Sequence, residues 1–119
     1  MNALPVLMYH HVSPAAGLVT VSPAVFRQHM EYLARNGYTT LGAGGVEDFF
    51  AGRPVPHKSV VVTFDDGYFD NFVHAHPMLA EFGLTAMLFI VTGWLGEGPV
   101  RTGALDCPDH RECKRRIAA

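Results

Sequence analysis

Ser59-Val60-Val61-Val62-Thr63-Phe64-Asp65-Asp66-Gly67 is a run of β-branched and apolar residues that ends in two carboxylates and a glycine. Val60 to Val62 are apolar without alternation. That is the pattern of a strand covered on both faces, as in the parallel sheets of α/β proteins. Ligands of such sheets meet the C-terminal ends of the strands, where Asp65 and Asp66 fall. Gly67 suits a sharp exit from the strand. Two adjacent acids repel, so the pair favours a shared cation or a proton kept on one of them. Two roles are open to it: a metal-ligand carboxylate beside a general base, or two solvated acids at the N-terminus of the next helix, where negative charge is favoured.

Working outward, Leu4 to Tyr9 reads as a first strand, with Pro5 near its beginning. It ends in His10-His11, so one of these histidines reaches the rim that carries the acids if the two strands are parallel. Ser13 to Thr20 reads as a loop. Ser22-Pro23 starts a helix, Ser as N-cap and Pro in the first turn. Phe26, Met30 and Leu33 form its apolar stripe, and Asn36-Gly37 ends it. Tyr38 to Leu41 is a second strand and Val46 to Ala51 a short helix. Tyr68 to Phe82 is a third helix with Phe72, Leu79 and Phe82 as its buried stripe, and Pro77 marks a second start within it. Leu84 to Val91 is a fourth strand, apolar throughout.

His74 and His76 are two residues apart and point about 200° apart on a regular helix, so they do not chelate one ion. His57 precedes the central strand, at the end opposite the acids. Trp94 follows the fourth strand at the acid rim, as a sugar-stacking platform or a core aromatic. Residues 96–119 read as an irregular tail. Cys107, His110 and Cys113 in it make three metal-capable residues, one short of a closed structural zinc site.

The chain has 119 residues and a formal net charge of −2, with about half its residues apolar. These values fit one globular domain and offer no basic face for nucleic acid. No apolar run approaches the roughly 18 residues of a membrane span. Met1 to Pro5 lacks the basic region and apolar stretch of a signal peptide, so the chain as written is expected in the cytoplasm. Two cysteines are too few for a disulfide scaffold. Strand-helix alternation gives an α/β fold with four parallel strands and about three helices.

The block Val60 to Gly67, preceded by Val6-Leu7-Met8-Tyr9-His10-His11-Val12 and followed by Thr85-Ala86-Met87-Leu88-Phe89-Ile90, resembles the polysaccharide deacetylase family, the NodB-homology domain of carbohydrate esterase family four. The resemblance spans about Leu4 to Val91. It implies a distorted (β/α) barrel and hydrolysis of N-acetyl groups on a polysaccharide or oligosaccharide, by proteins that are often secreted or periplasmic. It further implies Asp65 as general base and Asp66 as ligand of a divalent metal, most often zinc. The ion polarises the acetamide carbonyl and acidifies its bound water. His10 and Trp94 are the expected substrate-binding residues at the same rim.

The sequence departs from the family pattern after the acid pair. The His-Ser/Thr-x-x-His motif that supplies two further metal ligands is absent, as are the family's later arginine and acid histidine. A complete barrel takes about 200 residues or more. The expectation is therefore the N-terminal half of such a domain over residues 1–119, its barrel not closed by this chain. Such a chain should bind metal poorly, show little activity alone, and associate as a homodimer over its open sheet edges. Two other classes remain: a catalytically dead saccharide-binding or assembly module of the same fold, and a receiver-like phosphoryl-transfer domain. The latter expects its acid pair after the first strand rather than the third.

Overall fold

A computed structural model describes residues 2–94. In chain order its elements are β1 (Val6–Tyr9), β2 (His11–Val12), β3 (Thr20–Val21), α1 (Pro23–Arg35), β4 (Thr39–Thr40), α2 (Ala43–Phe50), β5 (Ser59–Asp66), a π-helical turn (Asn71–Ala75), α3 (His76–Phe82), β6 (Met87–Ile90) and a 3-10 turn (Thr92–Trp94).

The strand that ends in the acids is the hub. Ser59 to Phe64 are buried, as the unbroken apolar run predicts. β5 pairs in parallel with β1, Val6 opposite Val61 through Tyr9 opposite Phe64. It pairs with β4 at Ser59 and Val60, and with β6 from Thr63 to Asp66. All three pairings are parallel, so every strand of this sheet delivers its C-terminal end to one rim.

Side chains in register across a parallel pair share a face. Leu7, Tyr9, Val60, Val62 and Phe64 lie on the face that α1 and α3 cover. There they join Phe26, Met30 and Leu33 of α1 with Ala75 and Leu79 beyond the acids. The opposite face carries Val6, Met8, Val61, Thr63, Asp65 and Phe89. Val6, Met8 and Phe89 are 57%, 65% and 53% exposed. Apolar runs in β1 and β6 therefore do not mean burial on both faces, because each has β5 on one flank and no further strand among the described residues on the other.

The first helix follows its sequence signals closely. Ser22 Oγ accepts the Val25 N–H at 3.2 Å, Pro23 opens the first turn, and Gly37 takes a φ of 72° past the end. Four expectations need correction. The segment Ser13 to Thr20 is not wholly loop: Thr20 begins β3, which pairs in parallel with β2. The second helix starts at Ala43 instead of Val46, with Gly44 and Gly45 inside it. A Cβ at Gly45 would lie 3.0 Å from Leu41 Cβ, so this glycine lets the helix approach the buried Leu41 closely. The fourth strand begins at Met87, not Leu84, because Thr85 is held by Thr40 instead of by β5, its N–H 2.8 Å from Thr40 Oγ1.

The fourth correction concerns the helix after the acids. It begins as a π-helical turn, which changes the phase of the stripe. Asn71, Ala75 and Leu79 are buried, four residues apart, and Phe72 is 38% exposed. Phe72 stacks instead between Phe69 and His76. The α-helical part starts at His76 with Pro77 in its first turn, as that proline indicates.

No helix among the described residues is long and apolar enough to cross a membrane. The expected irregular tail over 96–119, with Cys107, His110 and Cys113, lies outside the described residues.

Candidate active site

Asp65 and Asp66 sit on the last turn of β5, partly exposed, where the buried valines before them end. β1 ends level with them, because Tyr9 pairs with Phe64, and the next residue, His10, meets the acids. His10 Nε2 is 3.6 Å from Asp65 Oδ2 and 4.0 Å from Asp66 Oδ2. The three expected rim residues thus converge: both carboxylates face one imidazole, and none points into the core. The backbone of Trp94 lies in the 3-10 turn after β6, and its side chain lies outside what the structure describes.

The adjacent histidine goes the opposite way. His11 is buried, and its Nδ1 lies 2.6 Å from Asp70 Oδ2. The other carboxylate oxygen of Asp70 accepts the Val12 N–H at 3.1 Å and an amide hydrogen of Asn71 at 3.1 Å. Asn71 Nδ2 also donates to the His10 carbonyl at 2.7 Å. Both groups facing Nδ2 are acceptors, which fixes the amide orientation. Asn71 Oδ1 is then buried with no hydrogen-bond partner among the described residues. Tyr68, 2% exposed, stacks on the His11 ring at 3.6 Å between centroids, and its hydroxyl donates to Asp66 Oδ2 at 3.2 Å.

Reading the residues in sequence missed this layer. Tyr68, Asp70 and Asn71 stand two to five residues beyond the acids, where a helix was expected to be merely amphipathic. The available signal was the polar pair Asp70-Asn71 near the start of an otherwise apolar stretch. Such a pair is either solvated or tied to something, and here it is buried and tied to the end of β1.

His29 lies on α1. Its Nδ1 lies 2.8 Å from the Tyr9 hydroxyl, and burial pushes the Tyr9 phenol up to about 12. Among the described residues no group of three His, Cys, Asp or Glu side chains could hold a metal ion. Catalytic zinc takes three protein ligands. The described donors therefore do not by themselves fit a zinc ion.

The polysaccharide deacetylase family model matches residues 52–111, which include the acid pair. Among curated proteins, the chain is 38% identical over 94 residues to YxkH of Bacillus subtilis (strain 168), whose own name is that of a polysaccharide deacetylase. That match covers 78% of this chain and 33% of YxkH. It is 29% identical over 98 residues to the poly-beta-1,6-N-acetyl-D-glucosamine N-deacetylase of Escherichia coli (strain K12), covering 79% of this chain and 15% of that protein. The chain thus spans a third or less of these curated relatives. Among solved structures it is similar to IcaB from Ammonifex degensii, with TM-score 0.71 and 36% identity over 78% of this chain and 40% of that one. It is also similar to a de-N-acetylase from Aggregatibacter actinomycetemcomitans, with TM-score 0.70 and 29% identity over 82% of this chain and 40% of that one.

Proposed function

The chain belongs to the polysaccharide deacetylase family, a family of hydrolases acting on amide bonds. From that premise we propose that it carries the acid pair of an enzyme that removes acetyl groups from an N-acetylated polysaccharide or oligosaccharide. The observation that supports this most is the convergence of His10, Asp65 and Asp66 at the rim where the parallel strands end.

In this reading Asp65 is the general base. It takes a proton from the water that attacks the acetamide carbonyl. The C–N bond of the tetrahedral adduct then breaks, the nitrogen leaves as an amine after taking up a proton, and acetate is the second product. His10, against both carboxylates, borders the sugar, with Trp94 at the end of the neighbouring strand as a stacking platform. Asp66 is the carboxylate placed to take a divalent ion, by preference zinc, with further ligands from outside the described residues. The 119-residue chain is expected to bind zinc more weakly than micromolar, and a micromolar or tighter titration would overturn that part.

Acetate release from N-acetylglucosamine oligomers, assayed on the protein in its natural length, tests the function. Asp65→Asn should lower kcat by about 10²- to 10⁴-fold, the usual contribution of a general base. Release that survives this substitution removes Asp65 from the mechanism. The incomplete donor set also favours one second reading, a saccharide-binding module without chemistry. Such a module binds acetylated oligomers equally with and without chelator and releases no acetate. Self-association over the open edges of the sheet at β1 and β6 belongs to the same proposal, and light scattering from a clean monomer at high concentration excludes it.

A further inference from the structure

We propose that Tyr68 is a positioning residue for Asp66, and that the buried His11–Asp70 pair holds Tyr68 in that task. The proposal rests on the reading of Asp65 and Asp66 as the working acids. Its first observation is backbone strain. Asp66 has a φ of 77° and Gly67 a φ of 71°, two left-handed residues in succession. A left-handed non-glycine residue persists only where its surroundings over-determine it. Here the surroundings are the residues that follow. The chain reverses at Asp66-Gly67, and Tyr68 comes back over the turn so that its hydroxyl meets Asp66 Oδ2 at 3.2 Å.

The second observation is what backs the tyrosine. Its ring lies against the His11 imidazole at 3.6 Å and 22°. His11 in turn sits 2.6 Å from Asp70. Asp70 and Asn71 also bind the backbone on both sides of His11, at the Val12 N–H and the His10 carbonyl. One cluster therefore sets the positions of His10, through its carbonyl, and of Asp66, through its carboxylate. It joins segments about 60 residues apart in the chain. Packing alone does not ask for a tyrosine here, since phenylalanine fills the same space and stacks on the same imidazole. What tyrosine adds is one O–H aimed at one carboxylate oxygen.

Tyr68→Phe removes that group and little else. In protein labelled with ¹³C at aspartate carboxyls, the Asp66 resonance should move and the Asp65 resonance should stay. In the acetate-release assay kcat should fall about tenfold, the typical effect of losing a hydrogen bond to a charged group, with KM unchanged within about a factor of two. Asp70→Asn should move the Asp66 resonance in the same direction by a smaller amount.

An Asp66 resonance that Tyr68→Phe leaves in place overturns the positioning role, and so does an undiminished kcat in that variant. An Asp66 resonance insensitive to Asp70→Asn removes the His11–Asp70 pair from the proposal. If Tyr68→Phe does not fold, the unmodified protein decides: its Tyr68 hydroxyl proton should give a slowly exchanging resonance, and rapid exchange counts against the bond. A protein that releases no acetate at all sinks the deacetylase reading, while the carboxyl resonances still decide the role of Tyr68.

Discussion

Asp66 holds a left-handed conformation that a carboxylate side chain reaches only at a cost, and the residue types allowed there follow from it. Asparagine is enriched in this region and keeps an oxygen acceptor for the Tyr68 hydroxyl. Asp66→Asn should therefore leave the melting temperature within about 2 °C, a shift well below 1 kcal/mol for a domain of this size, while acetate release is lost. A β-branched side chain in the same place clashes with its own backbone. Asp66→Val should be less stable than Asp66→Asn by about 1–2 kcal/mol in urea unfolding. Equal stability of the two variants would show that the turn is not strained. The acids were legible from the sequence because a carboxylate pair closing an apolar strand is a local pattern. Their backbone conformation was not, because the residue that meets Asp66 comes back only after the chain has reversed.

At the scale of elements, the boundaries that the sequence marks with caps are the ones the structure keeps. α1 begins and ends where Ser22, Pro23 and Gly37 place it. α2 carries such a mark only past its end, where Gly52 has a φ of 74°, and the two glycines near its start read as loop. The structure gives them different reasons. A Cβ at Gly44 meets nothing within 4 Å, whereas one at Gly45 lies 3.0 Å from both Cβ and Cδ2 of Leu41. Gly44→Ala should stabilise the protein by about 0.5–1 kcal/mol through helix propensity alone. Gly45→Ala should gain less than that or lose stability, as Leu41 must shift. Thermal unfolding of the two variants side by side checks the pair, and equal gains would mean that α2 packs more loosely than described. The π-helical turn is a similar case. Nothing in Asn71 to Ala75 announces an extra residue in the turn, and that residue is what exposes Phe72 and buries Asn71.

Across the whole molecule, three parallel pairings on β5 bring the ends of β1, β5 and β6 to one rim, and α1 and α3 cover one face of the sheet. Tyr9 couples that architecture to pH. It lies between the Phe26 and Phe64 rings, and burial raises its phenol to about 12. The unfolded chain ionises Tyr9 near 10, so between about pH 10 and 12 the folded state binds the proton that the unfolded state has lost, and stability falls as pH rises. The contribution is whole below pH 10. Urea midpoints from pH 8 to 12 should fall more steeply for the native protein than for Tyr9→Phe, and parallel curves would show that Tyr9 titrates as if in water. The Arg27–Glu81 pair also joins α1 to α3 through two short hydrogen bonds, but both side chains are about half exposed, so screening leaves it a minor contributor.

The sequence by itself determined the central strand, the first helix with its two ends, the parallel α/β class and the candidate acids. Each of these is written within a dozen neighbouring residues, as apolar runs, caps and a carboxylate pair at a strand's exit. Only the tertiary structure decided which of two adjacent histidines faces the acids. It also decided that Tyr68, Asp70 and Asn71 stand behind them, and that apolar β1 and β6 leave one face to solvent. The choice of histidine and the placing of Asp70 and Asn71 depend on contacts between segments some 60 residues apart. No local propensity encodes such a contact, because its free energy arises only once β1 and β5 have paired.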